Sequence, residues 1–83
     1  MSKVYIVQEE WNIHGDTGHE IVIVFKSKEV AEEFCKNYAE QSYKDYIKDW
    51  KVKMEKLSIS GYEIRTDDYE FYYSTWVSEY DMH

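Results

Sequence analysis

The chain of 83 residues contains no proline, one cysteine, three glycines and a single arginine, and each scarcity excludes something. Without proline and with so few glycines, the composition argues for regular elements joined by tight turns rather than for a disordered tail. One cysteine, Cys35, rules out an intramolecular disulfide. Small secreted domains usually depend on such bridges, so a cytoplasmic protein is expected. The longest apolar run, Ile21 to Phe25, is far too short to span a bilayer. The first residues lack the basic region and longer apolar core of a signal peptide. Ten cations against 17 acids leave a net charge of −7, which repels nucleic acid and anionic lipid alike. No direct nucleic-acid or membrane contact is therefore expected.

What is abundant is acid interleaved with aromatic rings. Tyr62 to His83 carry six carboxylates, Glu63, Asp67, Asp68, Glu70, Glu79 and Asp81, against Arg65 alone. Among them stand Tyr62, Tyr69, Phe71, Tyr72, Tyr73, Trp76 and Tyr80. Residues 1–25 are also acidic, with Glu9, Glu10, Asp16 and Glu20 against Lys3, whereas residues 26–61 are nearly balanced. One domain, 1–83, accommodates the whole chain. A chain this short buries only about 60% of its unfolded surface. Extra stability must come from large rings or from dimerisation, and the 18% aromatic content fits either.

Periodicity predicts an α+β fold. Val4 to Val7 opens a strand that continues with Glu9, Trp11 and Ile13 on one face and Gln8, Glu10 and Asn12 on the other. His14-Gly-Asp-Thr-Gly-His19 supplies turn chemistry. Ile21 to Phe25, apolar on both faces, reads as a central strand buried on both sides. Ser27 is a candidate N-cap, followed by a helical stripe through Val30, Ala31, Phe34, Cys35, Tyr38 and Ala39. Tyr43, Tyr46, Ile47, Trp50, Met54 and Leu57 extend the stripe, giving one helix over 28–56 or two segments. The second capping signal at Ser42 and Asp45 favours two, with a break near Gln41-Ser42. Ser60-Gly61 ends the helical region, Tyr62 to Thr66 alternates as a strand, and Asp67-Asp68 reads as a turn. Tyr69 to Glu79 is the last strand, with Phe71, Tyr73, Thr75 and Val77 on one face. The expected architecture is a two-layer ββαββ fold, an antiparallel sheet with one long or two shorter helices packed on one face.

Few residues point to catalysis. His14, Asp16 and His19 offer three zinc-ligand types within six residues, yet the spacing across two glycines matches no zinc geometry. Only His83 remains to complete a site, so a polar hairpin loop is the better reading and no metal is expected. A small metal-dependent enzyme built on those three residues is the least favoured function. Cys35 lies on the apolar helix stripe, where an inert buried thiol is far commoner than a nucleophile. No phosphate-binding loop, nucleophile elbow or paired catalytic motif is present, and neither enzymatic activity nor a cofactor is expected. Tyr72, Trp76 and Tyr80 fall on the face of the last strand away from its apolar side. Rings of this type are enriched at interface hot spots, and an uncovered row of them is costly.

Lys3-Val-Tyr-Ile-Val7, the junction Val24-Phe-Lys-Ser-Lys-Glu-Val-Ala-Glu-Glu-Phe34 and the final aromatic strand resemble the small acidic proteins that tailed bacteriophages encode in host-takeover regions. The resemblance implies a binder and inhibitor of one host factor, several such proteins being DNA mimics. It implies as targets bacterial DNA-binding proteins such as the nucleoid protein HU, RNA polymerase or defence nucleases. No catalytic motif comes with it.

The leading expectation is a non-enzymatic inhibitor, in the cytoplasm of the host cell, that offers an acidic surface to a host DNA-binding protein. Glu63, Asp67, Asp68, Glu70, Glu79 and Asp81 would stand in for phosphates. Alternate residues of a strand lie about 6.6 Å apart on one face, a spacing of the same scale as successive phosphates. Duplex DNA carries one charge per roughly 1.7 Å, so mimicry calls for a homodimer, which Tyr72, Trp76 and Tyr80 would form. The alternative is an interaction module that binds protein through those rings, with the acids serving solubility.

Overall fold

The computed structural model describes residues 2–58 and 61–82. Two long strands, β1 (Ser2–Ile13) and β2 (Asp16–Phe25), precede one helix, α1 (Lys28–Ile47), and three further strands follow, β3 (Lys53–Ser58), β4 (Gly61–Arg65) and β5 (Phe71–Met82). All neighbours are antiparallel in the order β2-β1-β5-β4-β3, and the helix covers one face. The α+β, two-layer expectation holds, with five strands in place of four.

The hairpin turn is tighter than the sequence suggests. Only His14 and Gly15 lie outside the strands, at φ 53 and 85. Two successive residues at positive φ make the two-residue turn whose twist matches paired strands. Asn12 Oδ1 accepts the Gly15 amide at 3.0 Å. Asp16 to His19 therefore belong to β2 rather than to a loop. Gly18 sits opposite Trp11, whose indole fills the space a side chain at 18 would need.

The helix begins where its cap predicts. Ser27 is extended, at φ −108 and ψ 128, and its Oγ accepts the Val30 amide at 3.4 Å. The helix is single, with no break at Gln41-Ser42, where Gln41 instead donates to Asp45 at 3.1 Å in the ordinary helical i,i+4 relation. It stops at Ile47, nine residues before the longer alternative. The Tyr46 carbonyl accepts from both Asp49 and Trp50, at 3.2 and 3.0 Å, and closes the last turn. Trp50 then folds onto Phe71, ring centres 5.4 Å apart. Met54 and Leu57 belong to β3, so the apolar stripe that seemed to continue the helix is a strand in part. The expected turn at Ser60 lies outside the described residues.

Directly opposed residues of an antiparallel pair share a face, so the register sorts the sheet into two surfaces. On the helix side Val7, Glu9, Trp11 and Ile13 of β1 oppose Val77, Thr75, Tyr73 and Phe71 of β5. Val7, Ala31, Cys35, Ala39 and Tyr62 form one core cluster, and Val52, Ile64, Phe71 and Tyr73 form a second. Thr75, fully buried between them, donates its hydroxyl to the Gln8 carbonyl at 2.9 Å. Cys35 lies 3.8 Å from that hydroxyl, and burial pushes its thiol pKa up.

Ile21 to Phe25 is not a central strand. It is the outer edge of the sheet, with Ile21 61% and Val24 50% exposed. Apolar content on both faces suggested burial, but the helix passes over only one side of β2, and nothing in the described chain covers the other. No helix among the described residues is long and apolar enough to cross a membrane.

Candidate functional site

The helix-free face is built from alternate residues of all five strands. Across its middle, Tyr72, Ser74, Trp76, Ser78 and Tyr80 of β5 oppose Asn12, Glu10, Gln8, Ile6 and Val4 of β1. Tyr72, Trp76 and Tyr80 thus share one face, as their alternation predicts, but they are not equally open. Trp76 is fixed in place: its Nε1 donates to Ser78 Oγ at 3.1 Å, and Gln8 Nε2 donates to the same oxygen at 3.0 Å. His19 hydrogen bonds to Gln8 Oε1 at 2.8 Å and stacks on the indole, centres 5.8 Å apart and planes 2° from parallel. Tyr72 is half-buried, and Tyr80 is exposed.

Beside Tyr72 a shallow cleft of about 560 Å³ is lined by Glu10, Asn12, Thr17 and His19. Glu10 is exposed and has no cation partner among the described residues. Burial raises the Tyr72 pKa, and the nearby charges of Glu63 and Glu10 add to the effect. Glu63 is taken up by Arg65, Nε to Oε2 at 3.2 Å, and Arg65 also reaches Glu55 at 3.3 Å.

The other predicted acids do not gather on this face. Asp67 pairs with Lys53 at 2.8 Å, and this hydrogen bond and charge hold its carboxyl below the usual range. Asp68 shapes the β4–β5 turn, accepting from the Thr66 hydroxyl at 2.7 Å and the Glu70 amide at 3.1 Å, and it too is lowered, chiefly by Thr66. Glu70 lies 4.0 Å from His14. At the opposite end of β5, Glu79 pairs with Lys3 at 3.3 Å and Asp81 stands across from Lys3 in register. The six carboxylates thus divide between the two ends of one strand. Glu79 and Asp81 also lie on the helix side, opposite Tyr5 and Lys3, whereas Glu63 lies on the helix-free side.

The three residues weighed as metal ligands are likewise dispersed. His14 occupies the turn beside Trp50, ring centres 4.8 Å apart. Asp16 opposes Ile13 on the helix side, and His19 sits on the other face against Trp76. Among the described residues no group of three His, Cys, Asp or Glu side chains is placed to hold a metal ion. His83 lies outside the described residues.

One carboxylate lies among the rings, although charge and rings elsewhere lie largely apart. Glu9 sits on the helix side between Val7 and Trp11, where its Oε2 accepts from Tyr73 at 2.6 Å and from Tyr38 at 3.0 Å. The sequence signal was present, since an acid alternates in phase with Val7, Trp11 and Ile13. Comparison with protein-family models, with curated proteins and with solved structures finds no match to this chain.

Proposed function

We propose that the protein is a non-enzymatic binding module whose working surface is the helix-free sheet face and whose partner presents basic side chains. The observation that carries this reading is the pre-set geometry around Trp76. An indole held by Ser78, Gln8 and His19 keeps its position without a partner, so little ordering is required on binding. Next to it the Glu10 carboxylate stands unpaired beside the Tyr72 ring in an open cleft. An aromatic ring with an adjacent carboxylate suits a lysine or arginine side chain.

A second reading keeps the acidic groups as the contact, with a host DNA-binding protein as target. Its support is their separation: Glu70 immediately precedes β5 and Glu79 follows nine residues later along the extended strand, about 30 Å, close to one duplex turn of about 34 Å. Two acidic ends at that distance can reach two phosphate-binding sites of one basic cleft.

One capture experiment separates the two. The purified protein serves as bait in bacterial lysate at 50 and about 200 mM salt, with and without duplex DNA. The sheet-face module predicts a retained protein that is indifferent to DNA and lost with Glu10→Arg or Tyr72→Ala. Mimicry predicts release by salt and by duplex DNA, and loss with Asp67→Lys combined with Asp81→Lys. Asp68 is left intact because it builds its turn. A retained partner insensitive to Glu10→Arg and Tyr72→Ala removes the sheet face as the working surface.

A further inference from the structure

The half-buried Glu9 carboxylate lines a pocket of about 230 Å³ between β1, β5 and α1, together with Trp11, Ile13, Tyr38, Ser42, Tyr46 and Tyr73. We propose that this pocket binds a methylated ammonium head group, of the kind carried by choline or by trimethyllysine. The site lies on the opposite sheet face from the proposed working surface and does not depend on that reading.

Three observations point to a cation. Both tyrosine hydroxyls bind the same oxygen, Oε2, which leaves Glu9 Oε1 without a hydrogen-bond donor among the described residues. No lysine, arginine or histidine pairs with Glu9 among those residues, although Glu20 stands directly across from it in register. Like charges directly opposed on one sheet face are destabilising. Glu20 has no ion-pair partner among the described residues. The Glu9 carboxylate is felt by the walls: burial first, and then Glu9, through its hydrogen bonds to Tyr38 and Tyr73 and its charge beside Tyr46, raises the pKa of all three. These rings stay neutral and electron-rich, as a cation–π wall requires.

The walls choose among cations. No three metal-ligating side chains converge among the described residues, whereas one indole and three phenols surround the carboxylate. Aromatic walls around an acid attract an organic cation through the ring quadrupoles. A bare ammonium is strongly hydrated and must give up that water to meet ring faces. A fully methylated ammonium has no N–H to satisfy and lays its methyl groups directly on the rings. The volume also suits a head group, being below the roughly 300–1,000 Å³ of pockets for drug-sized ligands.

The test titrates ¹⁵N-labelled protein with choline, with tetramethylammonium chloride and with the neutral isostere 3,3-dimethylbutan-1-ol. Saturable shifts are expected at the Trp11 indole N–H and the Glu9 and Ser42 amides. The isostere should bind at least about tenfold more weakly, and Glu9→Gln, which still accepts from the two phenols, should weaken choline binding to a similar degree. Equal binding of the isostere overturns the proposal, as does an unchanged affinity in folded Glu9→Gln, or no saturation by about 50 mM. Should the variant not fold, the charged and neutral ligands compared on the natural chain decide alone. A trimethyllysine peptide compared with choline identifies the source: a tighter peptide names a protein side chain, equal affinity a free head group, and either ranking upholds the assignment.

Discussion

Gly18 shows how a single position can carry a constraint that composition does not reveal. Its backbone needs no special φ, unlike Gly15, where φ is 85 and space is open. Trp11, opposed to it across the β1–β2 pair, lays its indole over the bare α-carbon, and a methyl group there would enter the ring. The side chain that must move is also a wall of the Glu9 pocket. Gly18→Ala is expected to destabilise the fold by about 1–3 kcal/mol, the usual range for overpacking. Urea unfolding followed by circular dichroism should show a lower midpoint at an unchanged slope. If the head-group site is as proposed, the same variant loses choline affinity while folded. A variant as stable as the natural chain would mean that Trp11 has another low-energy place to go.

At the level of elements, the same local rules succeeded in one place and failed in another for physical reasons. Ser27, the stripe through Ala31, Cys35 and Ala39 and the alternation in Phe71, Tyr73, Thr75 and Val77 are legible because capping and periodicity are local properties, whereas Val30, expected on the same stripe, is 48% exposed. The end of α1 is not legible, because Tyr46, Ile47 and Trp50 remain in helical phase although the chain has already turned. The chain leaves the helix where Trp50 packs on Phe71, a contact with a strand more than twenty residues away that no local pattern encodes. Of the site, the shared face of Tyr72, Trp76 and Tyr80 was legible, whereas the Glu9 pocket needed the helix to bring Tyr38 over the sheet. Ile21 to Phe25 misled because apolar residues on both faces say nothing about whether a neighbouring strand exists. The two edges differ accordingly. β3 carries Lys53, Glu55 and Lys56 in six residues, the charges that discourage edge pairing. The five residues from Ile21 carry none, and on the helix-free side Val24 adjoins Ile6 while Tyr80 adjoins Val4. Of Tyr72, Trp76 and Tyr80, the rings expected to form a homodimer, Tyr80 lies at this apolar end, and we propose self-association through it together with Val24. Sedimentation is expected to give a dimer for the natural chain and a monomer for Val24→Lys, with the circular dichroism spectrum unchanged. A monomer in both cases removes the dimer.

Across the whole molecule charge and rings lie largely apart, Glu9 among its phenols being the exception. The chain extends 43 × 22 × 18 Å, with acids at both ends of β5 and tyrosines gathered around the helix–sheet interface. Burial raises the pKa of Tyr38, Tyr46, Tyr62, Tyr72 and Tyr73 above the usual value of 10.0. For a group whose neutral form is the one the fold accepts, the sign follows directly. The folded protein holds these protons more tightly than the unfolded chain, so their contribution is complete below the unfolded pKa and is lost as pH rises beyond it. Glu9 adds to the effect at Tyr38 and Tyr73, since a phenolate there would face a carboxylate it now donates to. Stability is therefore expected to decline above about pH 10, the unfolded tyrosine value. An alkaline titration should show the later part of the phenolate absorbance at 295 nm rising together with the loss of the far-ultraviolet circular dichroism signal. Glu9→Gln removes the charge that opposes phenolate at the interface, so Tyr38 and Tyr73 should ionise at lower pH in the folded protein and the absorbance rise should begin before the circular dichroism signal is lost. Complete ionisation of all the tyrosines with the circular dichroism spectrum intact would mean that the interface rings are reached by hydroxide without unfolding, and that the helix–sheet contact is looser than its packing implies.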